Sequence, residues 1–496
     1  MTRKPEMSLL LLNPPVSRYD SAEISPPLSL LNLAQAARRR GIETSLLDLN
    51  LPPHREMADY PDLYYNYVLE LVALSGAREV GITSMGVNSH LAISLANLIY
   101  EHLGVPVVLG GIHLSSISDA VRSLCPTLSC LATPSLRDSP EKRDRWWASD
   151  QSRVKGCDAA VGIFDLFSAV DLDLYFSSNP RRVANLETGS GCKYNCSFCY
   201  SPTVHPAWFN KSTDDILSSF DALRDLGFTH VFLVQDNLLN DSVWLETLAR
   251  KLSSSNSALP WNGYATLPDL KPSMLPLLAE AKCRNLYIGI DSVDQAQQKS
   301  WNKRFLRDGV TIQELVRLGV DAGVTLTCAF IIDPDPSAEA ATFSALDLAL
   351  RLRSMGAEIR LSVLTPYPST KFFCSESLVY SEERTAVLMD LPEVVVRNPY
   401  APLFVDAFPW HSRPSIASHW QEFLLAVNAA QTIISSDDKG ESSILELSGE
   451  KFWRHCQDIV EQVSLIDEVH KTELGEILSL ASLSLRATER RQPNAS

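Results

Sequence analysis

The chain has little of what would send it to a membrane or to nucleic acid. No uninterrupted apolar stretch approaches the roughly 20 residues that a membrane span requires, so no membrane partner is expected. No block of lysine or arginine occurs. A formal charge of −15 and an isoelectric point near 5.2 give a surface that repels a polyanion, so no nucleic acid is expected either. The opening MTRKPEMSLLLLNPPVS has basic residues and then leucines, yet the leucine run stops at Asn13-Pro14-Pro15. That is too soon for an export segment, and the leucines read as a buried strand. Cysteine is sparse, with ten residues in 496, and only one group of them is tight. Such spacing excludes a disulfide framework and suits a cytoplasmic, reducing setting. The remainder is ordinary for a soluble globular protein, and this length calls for two or three domains.

What is present is alternation. Short apolar runs at 9–13, 45–48, 80–84 and 107–109 are expected to be strands. Helical spacing of Leu28, Leu31, Leu33 and Ala37 ends at Gly41, and that of Leu91, Leu95, Leu98 and Ile99 ends at Gly104. This predicts an α/β fold, with a doubly wound, Rossmann-like parallel sheet over residues 1–135. NPPV, TSMG and LGGIH then fall at the carboxyl ends of its strands, where such sheets bind ligands. Residues 136–180, with SLRDSPEKRDRWWASDQSR, read as a linker and irregular connection. Alternation resumes over 181–400, with strands expected at 183–187, 231–234, 261–266, 286–290, 325–332 and 358–363. A helix beginning at Ser212-Thr213-Asp214 and ending at Gly227 precedes the second of them. Six such units predict a partial (β/α)6, TIM-like barrel. Residues 401–496 read as a small α-helical C-terminal cap.

The tight cysteine group is GSGCKYNCSFCY, in which Cys192, Cys196 and Cys199 are spaced C-x3-C-x2-C directly after the first barrel strand. They therefore lie on a loop at the barrel mouth. A closed zinc site would want a fourth ligand, for which His205 is the only near candidate. Unrelated core thiols would not sit so closely among polar residues and the glycines Gly189 and Gly191. Three thiolates with no fourth suit a [4Fe–4S] cluster with one iron left open. The other seven cysteines read as buried or incidental thiols.

C-x3-C-x2-C followed by the aromatic Tyr200 resembles the signature of the radical S-adenosylmethionine superfamily. The resemblance implies that the open iron chelates the amino and carboxylate groups of S-adenosylmethionine, and that one electron splits it to methionine and a 5′-deoxyadenosyl radical. LYIGIDSVDQAQQKSWNKRF is similar to the superfamily's fourth-strand segment, with Asp291 and Ser292 facing the cofactor and Lys303 downstream. CAFIIDPDPSAEA and LTPYPSTKFF resemble the fifth- and sixth-strand segments. VFLVQDNLLND stands where many members carry G-G-E. The resemblance thus implies S-adenosylmethionine contacts at Tyr200, Gln235, Asp236, Asp291 and Ser292. Asn237 is a further candidate, although Asn237 and Asn240 equally read as turn caps.

The first domain resembles a cobalamin-binding module, with a serine loop after one strand and Gly-Gly after the next. Asn13, Pro14, Ser84, Gly86, Gly110 and Gly111 are its implied cobalamin contacts, the glycines leaving a slot for the nucleotide tail. The D-x-H-x-x-G signature is absent, which implies an unligated lower face of the cobalt. The whole implies a cobalamin-dependent radical enzyme, a methyltransferase at an unactivated carbon of a small natural-product intermediate or a peptide. An electron donor such as flavodoxin or ferredoxin is implied as a partner. The alternatives are a radical isomerase, dehydratase or rearranging enzyme whose cobalamin domain is used otherwise or is vestigial, and a zinc- or cluster-containing binding protein without catalysis.

Overall fold

Four consecutive leucines set the first layer. Leu9 to Leu12 are all buried in β1 (Ser8–Asn13), as a strand covered on both faces of a parallel sheet must be. The computed structural model describes residues 8–15, 24–57, 61–85, 88–116, 121–122, 125, 128, 130–131, 159–255, 258–303, 311–364, 370–372, 419–436 and 444–464. β1 lies between β2 (Glu43–Asp48) and β3 (Glu79–Thr83), followed by β4 (Val107–Gly110) and the short β5 (Cys130–Leu131), all parallel. Side chains alternate across β1. Leu9 and Leu11 pack with Leu30, Ala34 and Ala37 of the helix Leu28–Arg38. Leu10 and Leu12 pack with Val68 and Val72 of the helix Pro61–Ser75 and with Leu95 and Ile99 of the helix Ser89–Leu103. The order β2-β1-β3-β4-β5 puts the topological switch between β1 and β3, opening a crevice at their carboxyl ends.

The expected irregular connection differs from what is found. Its second half forms two helices, Ala159–Phe167 and Leu172–Ser178. The reason is burial, since Ile163, Leu166 and Phe167 join the core of the second sheet. These helices also brace the two sheets. The Tyr175 hydroxyl donates to the Asp48 carboxylate at 2.8 Å, and Gln35 donates to Asp165 at 2.9 Å. Asp48 is buried, and its other oxygen accepts from Asn13 at 2.9 Å and from the Asn50 side chain at 2.8 Å.

The second sheet has six parallel strands in the order β13-β12-β11-β10-β9-β6, with a two-stranded pair β7-β8 beside it. They are β6 (Val183–Glu187), β7 (Gly189–Ser190), β8 (Phe209–Asn210), β9 (His230–Val234), β10 (Trp261–Thr266), β11 (Cys283–Asp291), β12 (Thr325–Ile332) and β13 (Glu358–Val363). Among the described residues β6 and β13 do not pair, so the sheet is an open arc of a barrel. The edge at β13 is covered by the helix Trp420–Ser435. Gln431 accepts from the Leu361 amide at 2.5 Å and donates to the Ile359 carbonyl at 3.0 Å, occupying ladder groups that an edge strand leaves open. The helix Gly449–Ser464 packs beside it, with Phe452 and Cys456 fully buried. Both helices share the core of the second sheet.

Candidate active site

The cysteine loop leaves β7 at Gly191, whose φ of +81° only glycine adopts easily, and a Cβ there would stand 2.7 Å from the Ala207 carbonyl. Cys192, Cys196 and Cys199 then line one wall of a cavity at the carboxyl ends of the strands. Tyr264, Thr266, Tyr287, Gly289, Asp236 and Lys303 form other parts of its lining. Burial pushes all three thiols up, Cys196 to about 11 and Cys199 to about 12; the charges of Asp291 and Cys192 add to this at Cys196, those of Cys196 and Cys192 at Cys199, and that of Asp236 at Cys192. The Lys303 ammonium offsets part of this at Cys192 and Cys196, yet the thiolates stay unfavourable without further positive charge. Among the described residues no set of three His, Cys, Asp or Glu side chains is arranged to chelate a single metal ion. Three soft donors desolvated on one wall fit an iron–sulfur cluster, which supplies the missing positive charge.

The loop is held from two sides. On one, the Gly191 amide donates to Asp236 at 2.6 Å, and Asn240 donates to the Gly191 carbonyl at 2.7 Å while accepting from the Lys193 amide at 3.0 Å. On the other, Ser197 donates its amide to Trp301 at 2.8 Å, Phe198 packs edge-on against the Trp301 ring, and Asn302 donates to the Asn195 carbonyl at 2.7 Å.

The implied S-adenosylmethionine contacts separate into groups. Asp236 lines the cavity. Asp291 is buried and paired with the equally buried Lys303 at 2.5 Å. A register shift between Gly289 and Asp291, with φ of +64° at Asp291, marks a bulge at this end of β11. Desolvation would lower the Lys303 pKa, but Asp291, Cys196 and Cys192 together raise it. Ser292 accepts from the Asp294 amide at 3.1 Å and so starts the turn into the next helix. Tyr200 is exposed just before the helix Ser201–Val204. Gln235 faces the protein: it is buried, accepts from Thr188 at 3.0 Å and donates to Asn210 at 2.6 Å. Beside the cofactor contact that the resemblance implies, these bonds make Gln235 a tie from the end of β9 to Thr188 and to β8. Asn237 accepts from the Leu239 amide, the capping role. The segment TPYPS, residues 365–369, lies outside the described residues.

The residues implied as cobalamin contacts lie at the carboxyl ends of β1, β3 and β4, at the switch crevice of the first sheet. The Pro14 carbonyl accepts from Asn50 and Asn88, each at 3.2 Å, and Asn13 bonds to Asp48. Ser84 is buried, and its amide donates to the Gly110 carbonyl at 2.9 Å. The expected slot at Gly111 has a different cause. A Cβ there would stand 2.0 Å from the Ser84 carbonyl, so the backbone approach is to the chain itself. Met85 and Ile112, flanking this contact, are exposed apolar side chains at the strand ends, a surface that suits the face of a macrocycle. Gly86 lies outside the described residues.

Sequence reading missed the aromatic wall and the acid that anchors the loop. Phe232, Tyr264 and Tyr287 come from three adjacent strands, with ring centroids 5.2 to 5.9 Å apart. Alternation along β9, β10 and β11 was the available signal. Asp269 accepts from Thr266 at 2.6 Å and from the Tyr194 hydroxyl at 2.8 Å, and pairs with Lys193 at 2.9 Å. Only its place three residues after Thr266 hinted at it.

The chain matches the radical SAM superfamily over residues 186–370. It is similar to the bacteriochlorophyllide d C-8(2)-methyltransferase of Chlorobaculum tepidum, 21% identical over 70% of this chain and 79% of that protein. It is also similar to the C-12(1)-methyltransferase of the same organism, 22% identical over 71% and 74%. Among solved structures it resembles the radical S-adenosylmethionine methyltransferase TsrM from Kitasatospora setae with cobalamin and a [4Fe–4S] cluster bound. The TM-score is 0.57, with 15% identity over 96% of this chain and 99% of that one. The cobalamin-dependent S-adenosylmethionine radical enzyme OxsB gives a TM-score of 0.57, with 13% identity over 97% and 76%. At these identities the structural likeness is one of fold: a doubly wound domain ahead of a partial barrel.

Proposed function

We propose that this chain, whose residues 186–370 match the radical SAM superfamily, is a cobalamin-dependent methyltransferase acting on a carbon of a small molecule with a planar aromatic portion. The observation that carries the reading is one cavity with three desolvated thiols on one wall and Tyr264 and Tyr287 on another. Aromatic faces hold planar rings by offset stacking, worth about 1 kcal/mol beyond burial. Two relatives named for bacteriochlorophyllides and a structural neighbour solved with tryptophan support a planar substrate.

Cys192, Cys196 and Cys199 would hold the [4Fe–4S] cluster; Ser84, Met85, Gly110, Gly111 and Ile112 would hold the cobalamin. When bound, the cluster supplies the electron that cleaves S-adenosylmethionine and the cobalamin carries the methyl group. The chain's own work is placement. Asp236 offers a carboxylate to the amino group of S-adenosylmethionine, while Asp291 neutralises Lys303 and keeps that ammonium beside the cysteine wall. Tyr264 and Tyr287 orient the substrate and displace water from the cavity. A cytoplasmic setting with flavodoxin or ferredoxin as electron donor completes the reading.

The test is anaerobic reconstitution with cobalamin and S-adenosylmethionine, followed by masses of the nucleoside products and of indole- and tetrapyrrole-containing trial substrates. Formation of S-adenosylhomocysteine that depends on cobalamin is expected. Cleavage to 5′-deoxyadenosine without cobalamin dependence would move the assignment to a radical isomerase or dehydratase.

A further inference from the structure

Lys193 and Tyr194 fill the first two unspecified positions of C-x3-C, and both side chains reach the same carboxylate. The Lys193 ammonium stands 2.9 Å from one oxygen of Asp269, and the Tyr194 hydroxyl donates to the other at 2.8 Å. That second oxygen also accepts from Thr266, the last residue of β10, at 2.6 Å. Lys193 donates in addition to the Leu239 carbonyl at 2.9 Å and lies over the Tyr194 ring. Asp269 therefore joins the cysteine loop to the strand that carries Tyr264, two residues before Thr266. The Asp269 side chain is mostly shielded from solvent, at 17% exposure, so these bonds are screened less than a surface pair would be.

We propose that Asp269, with Lys193 and Tyr194, is a positioning clamp that fixes the distance between the cysteine wall and the aromatic wall of the cavity. The proposal rests on the assignment of the three cysteines as cluster ligands. Fixed geometry of this kind is where reaction rate is most sensitive, a displacement of about 1 Å lowering it about 100-fold. Asn240 and Asp236 hold the loop's backbone at Gly191 and Lys193, and among the described residues their side-chain bonds run to the loop and not to β10. Of these ties to the loop, Asp269 is the one that also engages the Tyr264 strand.

The experiment uses the full chain, reconstituted anaerobically as the parent and as Asp269→Asn, Asp269→Glu, Lys193→Met and the Lys193→Met/Asp269→Asn pair. Three quantities are read: iron and sulfide per chain, the electron paramagnetic resonance spectrum of the reduced cluster with and without S-adenosylmethionine, and the rate of S-adenosylmethionine cleavage. The clamp predicts that Asp269→Asn keeps the parent's iron. It should lose much of the spectral change that S-adenosylmethionine induces and slow cleavage about 100-fold. Asp269→Glu should recover part of both, and the pair should be no worse than Asp269→Asn, because the two groups act as one unit. Parent spectra and rates in both Asp269→Asn and Lys193→Met, or effects that simply add, would overturn the clamp. Should Asp269→Asn lose its iron, Lys193→Met decides by the same readouts, since Tyr194 and Thr266 still hold the carboxylate. A parent chain that takes up no cluster removes the underlying assignment, and the clamp with it.

Discussion

The two crevices of this molecule sit at equivalent places, the carboxyl ends of parallel strands, yet they are built from opposite materials. In the first sheet the loop polar groups satisfy one another: Asn13, Asn50 and Asn88 close on Asp48 and Pro14, and exposed Met85 and Ile112 face outward. In the second sheet charge stays inside. Lys303 and Asp291 are buried together beside thiols whose ionisation burial opposes. A crevice that spends its polar groups on itself offers apolar surface to a large flat ligand. One that keeps desolvated soft donors and a buried ion pair is prepared for a charged group. Two neighbouring cores of one chain can thus serve two different cofactors.

The sharpest way to break this comparison is to remove one donor. Cys192→Ala, Cys196→Ala and Cys199→Ala should each lose most bound iron and all S-adenosylmethionine cleavage, while cobalamin uptake by the first sheet persists. Iron analysis beside a cobalamin absorbance spectrum checks this. Next in size is Asp291→Ala, which strands the Lys303 ammonium in a buried site. A loss of about 3 kcal/mol in stability is expected, with a raised requirement for S-adenosylmethionine. Denaturant unfolding and the concentration dependence of cleavage measure the two parts, and recovery of stability in Asp291→Ala/Lys303→Met would confirm the cause.

In the first sheet, Gly111→Ala forces a Cβ against the Ser84 carbonyl at a position of φ +118°. It should cost about 2 kcal/mol and abolish cobalamin retention with iron unchanged. Retained cobalamin would show that the strand ends at Ser84 and Gly111 do not shape that site. The smallest effect is on pH. Burial pushes His113 down to about 3, well below the roughly 6.5 of an unfolded histidine. The unfolded chain therefore binds the extra proton between these values. The contribution is complete above pH 6.5 and is lost as pH falls towards 3, at about 1.4 kcal/mol per unit. Thermal unfolding of the first sheet at pH 7 and pH 5.5 should show the difference, and His113→Phe should flatten it.

Much of this architecture was legible because burial writes a simple pattern. β6, β10, β12 and β13 run where their apolar alternation places them. β11 begins earlier than its apolar run, because Asn285 joins a polar network with Thr327 and Glu358 inside the arc. The helices Pro61–Ser75 and Ala159–Phe167 were not foreseen. The first follows a proline-rich stretch, and the second follows a charged one that masks its apolar face. In the site, the cysteines announced themselves by spacing. Asp269 did not, because its partners Lys193 and Tyr194 are some 75 positions away. The bonds of Gln235 to Thr188 and Asn210 were hidden for a related reason. A polar side chain at a strand end looks the same in sequence whether it meets a ligand or its own neighbours.

The central claim is that both crevices serve one reaction, and one measurement addresses it most directly. The chain is reconstituted anaerobically with its cluster, with and without cobalamin, and nucleoside products are followed by mass in the presence of a reductant and a planar aromatic substrate. The account predicts retained cobalamin with a base-off absorbance spectrum, and S-adenosylhomocysteine together with a methylated product only when cobalamin is present. A chain that binds the cluster and cleaves S-adenosylmethionine, but retains no cobalamin and forms no S-adenosylhomocysteine, would contradict it.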